Sequence, residues 1–261
     1  ELSLDEQISE GRIGLTYIAD VISAHAENIP KQVCIKFAKK EHCRSIAREA
    51  WFYEQLSDLQ GISIPRCYGF FTSTASQQDI RPEDLDASRG FHPWYYALPD
   101  DELTGGVDYG DWLPDDAVLG LSDSEACDSG GHRDGSPWNE WTMDEDDPTI
   151  AVLILELLGD QWADYCAEFD DVFEVMEDLV PHGVLHFGRC ARNILRCDSN
   201  HAALPLDPRQ YCKRHGKHHG WRVIDFDRAA RMDTHNMSET PPGIVDYGLP
   251  IHYEFQQYMP E

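Results

Sequence analysis

One stretch divides the sequence before any secondary structure is read. Residues 72–148 carry twenty Asp/Glu against three Lys/Arg, a net of −17 out of the chain's formal −27. A segment so charged, and so rich in Gly, Pro and Ser, buries too little apolar surface to offset the entropy of ordering it. The folded core therefore has to come from the residues on either side. The stretch also holds Trp94, Tyr95, Tyr96, Tyr109, Trp112, Trp138 and Trp141, more large aromatics than a solvated tail carries. The expectation is a partly ordered acidic insertion pinned by its aromatics, with the terminal "DEDDP" exposed.

The flanks read as regular structure. Residues 1–71 predict a β-rich region with one helix: "ISEGRIGLTYIADVI" and "KQVCIKFAKK" read as strands separated by a turn at Asn28-Ile29-Pro30. "CRSIAREAWFYEQLSDL" places Ile46, Ala50, Tyr53 and Leu56 on one helical face, and "IPRCYGFF" reads as a further strand. After the insertion, residues 149–160 supply an apolar strand, "AVLILELLGD", ending in Gly. Residues 161–261 then offer a helix over "DVFEVMEDLV" that Pro181 terminates. Two short strands, "NILRC" and "WRVIDFD", flank a His-rich loop at 198–220. Trp162, Tyr165 and Phe169 read as core. No internal repeat is found.

The bulk properties exclude several classes of function. A net charge of −27 repels nucleic acid, whereas a basic protein or peptide suits residues 72–148. No run of eighteen apolar residues exists and the first residues are not a basic segment followed by an apolar one, so neither a membrane span nor a signal peptide is expected. Eight Cys scattered at 34, 43, 67, 127, 166, 190, 197 and 212 fit reduced thiols in the cytosol or nucleus better than a disulfide framework.

Five stretches carry a possible chemistry in a fixed order. Phosphoryl transfer asks a protein to hold phosphates, place a metal and neutralise charge. Gly11 and Gly14 in "SEGRIG" let backbone N–H groups come close to phosphates, though a plain hairpin turn uses glycines in the same way. Lys36 on a strand and Glu49 on the next helix make an ion pair that presents an ammonium to phosphates; taken singly, each is an ordinary surface residue. Leu155, Glu156 and Leu158 stand where an apolar strand runs into a connector that holds an adenine. Asn193 and Asp225, at the ends of apolar strands, offer hard oxygens to Mg2+.

This order of residue types resembles the protein-kinase-like superfamily over roughly 7–71 and 150–232, and the wording "VLH…ARNIL" and "VIDFDRA" looks closest to compact, atypical kinase-like proteins of fungi. The resemblance implies an α+β, bilobal fold: a β-rich lobe with one helix, a reduced and mainly helical second lobe, and ATP in the cleft. It implies that Gly11 and Gly14 cover the phosphates, that Lys36 pairs with Glu49, and that Asn193 and Asp225 hold Mg2+. Two departures qualify it. The family's catalytic Asp falls on Gly188, which has no side chain to accept a proton, and the Asp-Phe-Gly signature reads Asp225-Phe226-Asp227. His186 is expected to brace backbone rather than perform chemistry.

Three functional readings remain at this point. The first is an ATP/Mg-binding, pseudokinase-like protein with weak or no phosphotransferase activity that acts through a protein partner. The second is an active atypical kinase whose base has moved, to Asp198 or Asp207. The third is an acidic interaction module on a relic fold without nucleotide. Separately, Cys197, His201, Cys212 and His215 form a Cys2His2 set suited to Zn2+, although "KRHGKHHG" also reads as a solvated turn.

Overall fold

Alternating strand patterns on both sides of the acidic stretch meet in one sheet. The structure is a computed structural model; it describes residues 1–23, 30–79, 81, 144, 146–162, 169–186, 191–197 and 210–231. The aromatics of the insertion, Tyr165, Gly188, Asp198, His201, Asp207 and the tail beyond Arg231 lie outside the described residues. What is described is a mixed α and β structure with an antiparallel sheet in its N-terminal part and few helices. It divides into two units.

The first unit takes residues 1–54, 67–81 and 144–157 among those described. Its strands are β1 (Leu2–Glu10), β2 (Gly14–Val21), β3 (Gln32–Ala38), β4 (Cys67–Thr74) and β5 (Thr149–Leu155), in the order β1-β2-β3-β5-β4 and antiparallel throughout. Side chains alternate across a pleated strand. In consequence Leu15, Tyr17, Ala19, Val33, Ile35 and Ile150 gather into buried apolar clusters with Phe37 and Val152 against them. Lys36, in register with Thr16 and Leu153, points from the other face. Helix α1 (Cys43–Gln55) buries Ile46, Ala50 and Tyr53, as its spacing predicts, and also Ser45, Arg48 and Glu49.

The ends of the acidic stretch are closed against each other. The β4–β5 register runs out to Thr74 opposite Thr149. Beyond it the Ala75 N–H donates to the Pro148 carbonyl at 3.0 Å, and Ser76 donates through N–H and hydroxyl to Asp147 at 2.9 and 2.7 Å.

The second unit takes residues 55–66 and 158–231 among those described. Residues 55–66, which the sequence pattern groups with the first region, are held here by long-range bonds. The Val223 N–H donates to the Ser63 carbonyl at 2.9 Å, and Arg222 Nη2 donates to the Gly61 carbonyl at 2.7 Å. Helix α2 (Phe169–Glu177) buries Val172 and Val175. It ends four residues before Pro181, which sits in a following 3-10 turn closed by Gly183 in the left-handed region at φ 64°. The short strands β6 (Val184–Leu185) and β9 (Ala230–Arg231) pair, as do β7 (Ile194–Arg196) and β8 (Trp221–Val223). Among the described residues this unit has a single α-helix, so the mainly helical second lobe implied by the resemblance is not found in them.

Arg222 is 2% exposed, and its Nη1 also donates to the His219 and Trp221 carbonyls at 2.9 and 2.8 Å. Truncating a buried, hydrogen-bonded cation strands its acceptors. Arg222→Ala is therefore expected to lower unfolding free energy by about 3 kcal/mol. Phe71→Ala, at a position 54% exposed, is expected to change it by less than about 0.5 kcal/mol. Urea denaturation of the two variants checks both.

Candidate functional site

The strand lysine and the helix glutamate meet. Lys36 Nζ lies 2.7 Å from Glu49 Oε2, with the two side chains 13% and 1% exposed. Carboxylates are rarely buried so deeply without a matching cation. Cys34 stands two residues along β3: burial pushes that thiol up to about 12, against the pull of Lys36, so it is held protonated. Leu155 ends β5 in register with Cys34, and Glu156 follows it in the same unit, while Leu158 belongs to the second unit.

The two predicted loop glycines differ in kind. Strands β1 and β2 form a hairpin in which the Gly11 N–H donates to the Gly14 carbonyl at 2.9 Å. A Cβ on Gly14 would lie 2.4 Å from the Phe37 carbonyl oxygen, an overlap with backbone that β3 can relieve only by moving. At Gly11 the nearest atom to such a Cβ is 3.9 Å away. Gly14 is thus required by strand packing, whether or not a ligand is present. Gly14→Ala is expected to lower the melting temperature by several degrees, and Gly11→Ala to leave it within about a degree.

In the second unit Asn193 and Asp225 come from neighbouring strand ends. Asn193 precedes β7 and is 8% exposed; its carbonyl accepts the Ile224 N–H at 2.9 Å. Asp225 follows β8 in the left-handed region at φ 71°. A non-glycine residue held there costs of order 1 kcal/mol or more, and such positions concentrate at functional sites. Asp227, where the family signature has Gly, is buried.

His186 joins these ends. Its Nε2 is 2.9 Å from the Ile224 carbonyl, which can only accept, so Nε2 carries the proton. Its ring stands edge-on to buried Phe226, centroids 5.1 Å apart. Burial holds the His186 pKa below its usual 6.5, although the Ile224 carbonyl and the Asp225 and Asp227 carboxylates oppose the shift. An unfolded His begins to take a proton as pH falls below about 6.5 while the folded one does not. The contribution to stability is complete above that pH and is lost as pH falls from there through the folded value. Ring 15N shifts recorded by NMR against pH are expected to show His186 neutral, with the proton on Nε2, at pH 6.5.

The set Cys197, His201, Cys212 and His215 is treated unevenly. Cys212 Sγ and His215 Nδ1 are 3.5 Å apart. Cys197 Sγ is 3.6 Å from Arg222 Nη2, and His201 lies outside the described residues. His219 and Asp178, the latter invisible to any local motif, stand with Cys212 and His215 instead.

The sequence matches no family model and no curated protein. Among solved structures it is similar to the BubR1 kinase domain, at a TM-score of 0.41 and 11% identity, over 88% of this chain. The chain spans about half, 48%, of that structure's length.

Proposed function

We propose that this chain is a kinase-like ATP- and Mg2+-binding protein that transfers phosphate weakly or not at all and works through a protein partner. The observation that carries the reading is the buried Lys36–Glu49 pair. It joins the third strand of an antiparallel sheet to the following helix, which is how protein kinases hold the lysine that meets the ATP phosphates. Apolar side chains would fill the same space without the desolvation cost of two charges, so the retained ammonium points to an anionic ligand.

Two further observations support it. Asp225 occupies an unfavourable backbone conformation beside buried Asn193, and a carboxylate with a carboxamide is a ligand pair suited to Mg2+. On this reading Gly11 and Gly14 bring backbone N–H groups to the phosphates, and Leu155, Glu156 and Leu158 meet the purine. Gly188 offers no general base, and loss of a positioned base costs roughly 10²–10⁴ in rate. The net −17 of residues 72–148 suits a basic protein or peptide as the partner.

A thermal-shift titration with ATP and Mg2+ tests the reading. Ligand at 100 times its dissociation constant stabilises by about 2.7 kcal/mol, so an upward shift of several degrees is expected, absent in Lys36→Ala and in Asp225→Ala. No shift in the unaltered chain would overturn nucleotide binding and leave the acidic interaction module. Labelled ATP then separates the active alternative: turnover that disappears in Asp225→Ala would establish an atypical kinase with a relocated base.

A further inference from the structure

Cys212, His215 and His219 lie in one tight reversal ahead of β8. The Cys212 N–H donates to the Lys217 carbonyl at 2.8 Å and the Gly216 N–H to the Cys212 carbonyl at 2.9 Å, with Gly216 left-handed at φ 67°. The turn puts the Cys212 and His215 side chains, three residues apart, on one side, and His219 comes next as the chain enters β8. Asp178 arrives from the end of α2, its N–H bonded to the Glu174 carbonyl at 3.1 Å. Asp178, Cys212 and His219 are each under 5% exposed, and the His215 side chain is 11% exposed.

The nitrogen–oxygen separations among these donors are long for charge-assisted hydrogen bonds. His215 Nδ1 is 3.3 Å from His219 Nε2 and 3.4 Å from Asp178 Oδ1, and His219 Nε2 is 3.5 Å from Asp178 Oδ2. Charge-assisted N–H to carboxylate bonds close to about 2.7–2.9 Å. The same imidazole achieves this on its other side, with His219 Nδ1 2.6 Å from Asp171 Oδ1. Cys212 Sγ lies 3.4 Å from Asp178 Oδ2 and 3.5 Å from His215 Nδ1. A tetrahedral zinc with Zn–N near 2.0–2.1 Å and Zn–S near 2.3 Å has donor–donor edges of about 3.3–3.6 Å. With Asp178 Oδ2 as the oxygen donor four of these separations, 3.3, 3.4, 3.5 and 3.5 Å, fall in that range, and one ligand atom from each residue lies within 4.8 Å of the others.

We propose that Asp178, Cys212, His215 and His219 form a closed, structural zinc site that clips the start of β8 to the end of α2. A thiolate with two imidazoles selects a borderline-soft ion over Mg2+ or Ca2+, and four protein donors leave no open position for a substrate. One thiolate and one carboxylate balance the charge of Zn2+, so the buried site is neutral. The surroundings orient the donors as metal sites require. Asp171 holds His219 Nδ1 and is itself held by the Gly220 N–H at 2.7 Å and Lys217 Nζ at 3.0 Å. Glu177 Oε2 stands 3.5 Å from His215 Nε2, and the Ser63 hydroxyl donates to Asp178. The adjoining group Asp171, Glu174 and His219 lacks a thiolate and is already bonded to Lys217, so it serves as this outer support.

Elemental analysis of the full chain, purified without added metal or chelator, is expected to find one zinc ion per molecule. Cys212→Ser and His219→Ala should lose it, while Cys197→Ser and His201→Ala keep it. Because loss of the ion can unfold a variant, two measurements do not depend on those variants. His219→Cys, which restores a donor, should retain zinc. Co2+ added to the chelated unaltered chain should give the intense visible bands of a tetrahedral thiolate site at one equivalent, with recovery of the melting temperature lost on chelation. A zinc-free chain that takes up no cobalt would overturn the proposal, and so would zinc that survives Cys212→Ser but not Cys197→Ser.

Discussion

A carboxylate with 1% of its side chain exposed must be matched by a cation, and in the first unit Glu49 is matched by Lys36 at 2.7 Å. That requirement orders much else there. Lys36 has to leave β3 on the face opposite the Leu15, Tyr17 and Ile35 cluster, which fixes the strand's register, since a one-residue slip would send the ammonium into apolar side chains. Glu49 has to lie on a turn of α1 that is buried, although the helix is rich in polar residues. The pair is thus a constraint on sheet register and helix placement before it is a candidate ligand site.

Buried polarity is concentrated in the second unit as well. Arg222, Asp178, His186, Asn193 and His219 are all under 9% exposed. Apart from Asn193 and His186, which sit beside the strained Asp225, these groups converge on the segment from Gly61 to Ser63 and on the turn before β8. These groups lie among buried apolar residues such as Trp162, Val175, Trp221 and Phe226, where a polar group left without a partner costs folding free energy.

Legibility in the sequence tracked the range of the interaction. Strand alternation in "VCIK" and helical spacing in "IAREAWFYEQL" marked β3 and α1, because both signals are local and periodic; that Lys36 meets Glu49 was implied by the resemblance to protein kinases and not by the spacing. The short strands before Asp225 and after Asn193 were readable for the same reason. Strand β1 was not readable over its first residues: it is an edge strand, mostly exposed, and its register shifts between Leu4 and Gln7 and again before Ser9, so the alternation begun at Leu2 and Leu4 is not sustained. Asp178 and Arg222 were missed because what gives them meaning lies far along the chain, 34 residues from Asp178 to Cys212 and 161 from Arg222 to Gly61. No spacing rule reaches that far.

The strand order has a consequence for synthesis. Strand β5 lies between β3 and β4, yet 74 residues separate Thr74 from Thr149. At about 5–20 residues per second a ribosome needs roughly 4–15 s to cross that gap. Throughout it, β3 and β4 each lack the neighbour that caps their open edge. The residues added meanwhile are the most acidic of the whole chain. The sheet of the first unit is therefore completed only when Leu155 has been added, after the whole acidic stretch.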